Sequence, residues 1–347
     1  MTDRAPTALQ LARSAATRTV FDVPRTPGRP GVTRYSIDLD PDGDMIAATM
    51  TEDDREATVV ADRDDTEDAV AVSIRSRYDG ERREAAFRGM AASLREDAAA
   101  LNRFEKLGAS LAAKMQLSQT PVPGFMVGLS GTDSTIVLLT LYEAALRMGM
   151  PHRVVGIHYV NQHRRKPTWY EEHVVPWLRE RCPLADIQVV APLGGNQDQQ
   201  RWADLNLRAL NTVEIDEDGR TVTRALENGR NYWVAGCTNL TEQELGKFST
   251  MSRGVSLMPI GRIRKSMIMR MCRALRVPAI AIEYAQQPDC LCGRDELAAR
   301  NIDLIDAILT HDIRVGEHDP ELLDKMFAYV RDLKRENGFK DRIPYPL

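Results

Sequence analysis

The chain has 347 residues, with 46 lysines and arginines against 50 aspartates and glutamates and a formal net charge of −4. That length buries one large α/β core with room for a small additional domain, and the slightly acidic balance argues against a nucleic-acid partner. No apolar run reaches the roughly 18 residues of a membrane span, no signal peptide opens the chain, and the five cysteines, an odd number, suit free thiols, so the sequence reads as soluble and cytoplasmic, with no membrane.

Residues 1–80 are acidic and extended in character. Tyr35–Leu39 alternates, Asp40-Pro-Asp-Gly-Asp44 reads as a turn, and Met45–Met50 returns. Ala57–Ala61 and Ala69–Ile74 add two short strands, so a small antiparallel sheet is predicted. Phe87, Met90, Leu94, Leu101, Phe104, Leu107 and Leu111 keep a helical spacing over 80–115, and Thr120-Pro-Val-Pro-Gly124 ends that helix. Strands and helices then alternate: strand 124–129, helix 134–148, strand 154–160, helix 168–181, strand 187–191, helices across 196–229, strand 232–236. Such alternation predicts a doubly wound parallel sheet covered on both faces, with ligands beyond the carboxyl ends of its strands. The expected division is a β-rich extension over 1–80 and an α/β domain over 81–347.

Ser130-Gly131-Thr132-Asp133-Ser134 joins a predicted strand to a predicted helix. A small-residue turn there is a phosphate cradle, because backbone N–H groups and a helix N-terminus face an anion. Ser130 and Ser134 add hydroxyls, and Asp133 is a candidate magnesium ligand. The turn has no lysine and is not a Walker loop; an ordinary helix N-cap is the plain alternative. A second turn, Cys237-Thr238-Asn239, falls at the same sheet edge.

The first turn resembles the Ser-Gly-Gly-x-Asp-Ser signature of the N-type ATP pyrophosphatases, one residue shorter. Downstream, Gly236-Cys-Thr-Asn239-Leu-Thr-Glu242, then Gly246, Phe248, Pro259-Ile-Gly261 and Lys265, resemble the NAD synthetase family. So do the Pro288–Glu296 loop, Ile302-Asp303-Leu-Ile305-Asp306 and the tail Asn337–Pro344. The likeness runs from about residue 100 to the end.

That resemblance implies an adenine nucleotide alpha hydrolase-like fold, a homodimer, and ATP and Mg2+ as cofactors. It implies a small-molecule carboxylate activated as an acyl adenylate with loss of pyrophosphate, then amidated by ammonia, free or from a separate glutaminase. On this chain it places Ser130, Gly131, Thr132, Ser134, Cys237, Thr238 and Asn239 at the nucleotide. Asp133 and Glu242 become the magnesium carboxylates, and Lys265 a mobile cation near the phosphates. Arg164, Arg165, Arg253 and Lys340 are candidate anchors for an acidic substrate.

Three departures accompany the likeness. The signature is short, Cys237 stands where the family has threonine, and Ser249–Ser256 lacks the lysine, tyrosine and acids the family carries there, with Arg253 entering instead. Reversing the charge offered to a substrate points to a changed acceptor. The leading reading is an ATP-dependent amide ligase acting on a non-NAD carboxylate of a specialised pathway. Three others stay open: NAD synthetase acting on deamido-NAD, a sulfurtransferase using Cys237 or Cys290 and Cys292 (thiols that together suit an iron–sulfur cluster), and a non-catalytic nucleotide-binding protein.

Overall fold

The computed structural model describes residues 18–24, 32–39, 45–52, 55–60, 81–117, 123–160, 169–191, 198–210, 212–215, 221–224, 232–286, 298–313 and 318–342. The chain forms two compact units, residues 1–104 with 274–276, and 105–273 with 277–347. In the first, strands β1 (Arg18–Pro24), β2 (Val32–Leu39), β3 (Met45–Glu52) and β4 (Arg55–Val60) make an antiparallel sheet in sequential order. β1 was not expected, although Thr19-Val-Phe-Asp-Val is a β-branched and aromatic run. The strand predicted over 69–74 lies outside the described residues. Helix α1 (Glu81–Leu117) follows, its last thirteen residues counted with the second unit.

The second unit is built on a parallel sheet. Strands β5 (Phe125–Leu129), β6 (Val154–Tyr159) and β7 (Asp186–Val190) pair side by side. All six residues of β6 are buried, His158 and Tyr159 included, as expected of a strand covered on both faces. Helix α2 (Thr132–Arg147) joins β5 to β6 and buries Ile136, Val137, Leu138, Leu139 and Leu141. A π-helical turn at Tyr170–Val174 runs into α3 (Val175–Arg181) before β7. Its Val175 N–H reaches back five residues to the Tyr170 carbonyl. Pro176, lacking an N–H, prevents the ordinary helical ladder from forming at that point.

After β7 the chain crosses through α4 (Asp198–Leu210). The sequence predicted helices throughout 196–229, and this is corrected: β8 (Thr212–Ile215) and β9 (Thr221–Arg224) pair as an antiparallel ribbon. Thr-Val-Glu-Ile and Thr-Val-Thr-Arg on either side of Asp218-Gly219 carry the alternation and turn residues that favour a hairpin. β10 (Trp233–Ala235) then pairs with β5 on the side away from β6, giving the order β10-β5-β6-β7. The winding direction reverses between β5 and β10, and their carboxyl ends flank the crevice where such sheets bind ligands. Gly124 opens β5 at φ +156, and a side chain there would collide with the Tyr232 ring.

The remaining helices are α5 (Leu240–Leu245), α6 (Lys265–Ala274), α7 (Ala279–Ala285), α8 (Ile302–Thr310) and α9 (Pro320–Asn337). Leu245 joins Leu304, Ile305, Ile308, Met326, Tyr329, Val330 and Leu333 in one apolar cluster, which anchors α5 to α8 and α9. No described helix is long and apolar enough to cross a membrane.

Candidate active site

The turns after β5 and β10 lie side by side because the two strands pair in parallel, Val127 opposite Ala235. Asn239 caps α5: its Oδ1 accepts the Glu242 N–H at 2.9 Å, and its own N–H donates to Glu242 Oε2 at 3.2 Å. This reciprocal box fixes the Asn239 amide so that Nδ2 donates to Asp133 Oδ1 at 2.9 Å. The other end of α5 closes at Gly246, φ +66, where the Lys247 N–H bonds the Glu242 carbonyl at 2.8 Å.

Lys265 comes from a third direction, at the start of α6. Its N–H donates to Thr241 Oγ1 at 2.9 Å, the Thr241 hydroxyl donates to Asp306 Oδ1 at 2.5 Å, and Asp306 Oδ2 accepts the Ser266 N–H at 2.9 Å. Asp306, only 4% exposed, thus caps α6 from the middle of α8. The Lys265 ammonium then reaches the Asp133 carboxylate and lies 3.0 Å from Thr132 Oγ1. Burial pulls the Lys265 pKa down, but the Asp133 and Glu242 carboxylates outweigh it, so the group is held above its ordinary value and stays charged.

The Asp133 and Glu242 carboxylates both act on the one Lys265 ammonium. Among the described residues no cluster of three or more His, Cys, Asp or Glu is placed to hold a metal. Asp133 and Glu242 nevertheless fit magnesium, which takes hard oxygen donors and completes its shell from phosphates and water. The Lys265 ammonium already occupies a cation's place on Asp133.

The Ser130–Ser134 turn is more self-contained than expected from the sequence. Ser134 Oγ accepts the N–H groups of Ser130 at 2.8 Å and Gly131 at 3.1 Å, and donates to the Gly131 carbonyl at 3.0 Å. Ser134 is buried and braces the turn from within. The N–H groups of Thr132, Asp133 and Ser134, in the first turn of α2, have no acceptor inside the helix and are the ones positioned for an anion.

Cys237 follows β10, and its thiol lies 3.9 Å from the Gly128 carbonyl. Burial, reinforced by the Asp133 and Glu242 carboxylates, pushes that thiol well above the ordinary range, which suppresses the thiolate a nucleophile requires. Thr238 Oγ1 pairs with Ser252 Oγ at 3.2 Å, tying the 3-10 turn Thr250–Arg253 to the end of β10. The exposed Arg253 stacks its guanidinium 4.8 Å from the Phe248 ring centre. Lys340 approaches the same ring at 5.4 Å and donates to the carbonyls of Gly246 at 2.8 Å and Phe248 at 2.9 Å. Lys340 therefore clamps the tail to the loop after α5. Arg164, Arg165, Cys290 and Cys292 lie outside the described residues.

The structure thus gathers Thr132, Asp133, Asn239, Glu242 and Lys265 within hydrogen-bonding or electrostatic reach of one another. Sequence reasoning gave no role to Thr241 or Asp306, which set the Lys265 backbone. The signal for Asp306 was present: an acid on the buried face of Ile302-Asp-Leu-Ile-Asp-Ala-Ile-Leu needs a partner.

No family model matches the chain. An NH(3)-dependent NAD(+) synthetase of Carboxydothermus hydrogenoformans is 32% identical over 250 residues, spanning 64% of this chain and 87% of that protein. Among solved structures, an NH3-dependent NAD synthetase from Campylobacter jejuni is 19% identical with a TM-score of 0.46, covering 70% of this chain and 97% of that one. An NMN synthetase from Francisella tularensis is 18% identical with a TM-score of 0.46, covering 71% and 98%.

Proposed function

This chain belongs to the NAD synthetase family, and we propose that it is an ATP-dependent amide ligase acting on an acidic small molecule other than deamido-NAD. The carboxylate attacks the α-phosphate of ATP, pyrophosphate leaves, and ammonia displaces AMP from the acyl adenylate. The observation that carries this reading is the meeting of Asp133, Asn239 and Lys265 at the β5–β10 crevice.

A carboxylate is a poor electrophile with a poor leaving group, so activation must come from ATP and from groups that follow charge onto the pyrophosphate. Lys265, kept protonated by Asp133 and Glu242, supplies a compact cation for the leaving oxygens. Asn239 holds the Asp133 carboxylate in one orientation, and the α2 N-terminus presents N–H groups to the phosphates. A bound magnesium ion, held by Asp133 and Glu242, would neutralise phosphate charge. In this reading ATP is consumed as a co-substrate, the working unit is a cytoplasmic homodimer, residues 81–347 are the catalytic domain and 1–80 its extension.

Arg253 supports the changed acceptor. Its stacking on Phe248 and the Thr238–Ser252 bond hold a positive charge beside the nucleotide turn, where the family offers an acid. The test is AMP and pyrophosphate release with ATP, magnesium, ammonia and a panel of carboxylates. An acidic carboxylate is expected to exceed deamido-NAD by about tenfold or more in kcat/KM, and Arg253→Asp to narrow that ratio by a similar factor. Equal or better use of deamido-NAD would make the protein an NAD synthetase in the strict sense, and ATP binding with no AMP release on any carboxylate would favour the non-catalytic nucleotide-binding reading.

The sulfurtransferase reading uses Cys237 or Cys290 and Cys292, and of these Cys237 lies within the described residues, its thiol held protonated. Cys237→Ser is expected to keep ammonia-dependent AMP release within about threefold of the parent, since the thiol makes only a weak 3.9 Å contact to the Gly128 carbonyl and takes part in no step of the amide-ligase reading. A hundredfold loss, with sulfide outperforming ammonia in the parent, would reverse the assignment.

A further inference from the structure

The signature turn is held from outside as well as from within. At the end of β6, His158 lies beside Leu129, and its Nδ1 is 2.9 Å from the Leu129 carbonyl. A carbonyl only accepts, so Nδ1 carries the proton. The other ring nitrogen faces Glu171 Oε1 at 3.3 Å, and the ring stacks on Tyr170 with centroids 4.8 Å apart. Tyr170 and Glu171 both come from the π-helical turn, a distortion that often marks a functional position.

Tyr170 makes a second attachment. Thr135 Oγ1 donates to the Gly131 carbonyl at 2.8 Å, and the Tyr170 hydroxyl, 2.8 Å from Thr135 Oγ1, must therefore donate to it. Burial holds the Tyr170 phenol protonated, as that donation requires. Of the carbonyls on either side of Ser130, His158 holds that of Leu129 directly, and Tyr170 holds that of Gly131 through Thr135, whose hydroxyl and N–H both donate to it. His158 is 6% exposed and Tyr170 1%. Both hold the turn from the buried side, His158 directly and Tyr170 through Thr135.

We propose that His158 and Tyr170 are positioning residues for the polyphosphate of ATP. A turn one residue short, with two of its N–H groups committed to Ser134, is held in its phosphate-facing shape by clamping the carbonyls at either end of Ser130. The contribution goes to the leaving pyrophosphate and not to adenosine or its ribose. The inference rests on the ATP-site reading of the preceding section.

The experiment measures magnesium pyrophosphate and AMP binding separately by calorimetry on the full chain. His158→Leu and Tyr170→Phe are each expected to weaken pyrophosphate roughly tenfold, about one hydrogen bond, while AMP stays within about twofold. His158→Asn, which keeps a donor where Nδ1 stood, is expected to recover most of the loss. General loosening would weaken both ligands together, and that result overturns the proposal, as does unchanged pyrophosphate binding in both variants. Tyr170→Phe removes a single oxygen and preserves the buried ring, so it answers the question even where His158→Leu does not fold. A parent protein that binds neither ATP nor pyrophosphate would instead refute the ATP-site reading itself.

Discussion

Asp133→Asn is expected to lower ATP-dependent AMP release by about a hundredfold or more, the scale seen when one preorganised charge-stabilising group is lost from a site. The substitution keeps the side chain's size and one acceptor for Asn239, so the turn and α2 should stay folded. What changes is charge. Asp133 places a carboxylate against the Lys265 ammonium, a hard oxygen donor for a divalent cation, and asparagine removes that donor's charge while Glu242 stays coupled to Lys265. Magnesium affinity therefore falls with activity, and manganese, followed by its magnetic resonance signal, gives a readout independent of turnover. Raising magnesium should restore part of the activity. If the variant releases AMP at a near-normal rate, Asp133 is not the metal carboxylate, and Glu242 would have to act without it.

The difference between what the sequence disclosed and what it withheld follows interaction range. β5 and β6 were visible as short, largely apolar buried runs and β7 as the β-branched segment Ile187–Val190 bounded by turn residues, although β7 is only partly buried. α2 was visible as a long apolar helix, and its earlier start, at Thr132, follows from Ser134 turning back on Ser130 and Gly131. The β8–β9 hairpin carries its own alternating signal, which the helical pattern of 198–210 runs directly into and masks. The site divides similarly. Asp133, Asn239, Glu242 and Lys265 sit in motifs a few residues long. His158, Tyr170 and Asp306 act across separations of 29, 35 and 40 residues on Leu129, Thr135 and Ser266, and no local pattern encodes which partner each meets. Lys340 shows the opposite limit: the tail segment marks it as a candidate substrate anchor, and nothing local to the sequence discloses that it also donates to the Gly246 and Phe248 carbonyls.

Lys265→Met should cost about a hundredfold to a thousandfold in the rate of AMP formation with little change in acceptor KM. Methionine fills the aliphatic stem but offers no charge to the departing pyrophosphate. Lys265→Arg should not rescue it. The ammonium is wedged between Asp133 and Thr132 Oγ1, and a planar fork in place of a point charge displaces one of them. The pH dependence carries a definite sign. The folded-state pKa of Lys265 is raised above its ordinary 10.5, so its stabilising charge is fully present below that value. It is lost only as pH rises through the still higher folded value. The difference in urea midpoint between parent and Lys265→Met should therefore hold steady from neutral pH to about pH 9 and shrink in stronger alkali, beyond 10.5. AMP release by the parent should likewise show no alkaline limb from this residue near neutrality. A limb between about pH 7 and pH 9 that disappears in the variant would mean that the ammonium deprotonates in the working range, and Lys265 would then have to act as a proton donor or base, not as a fixed cation.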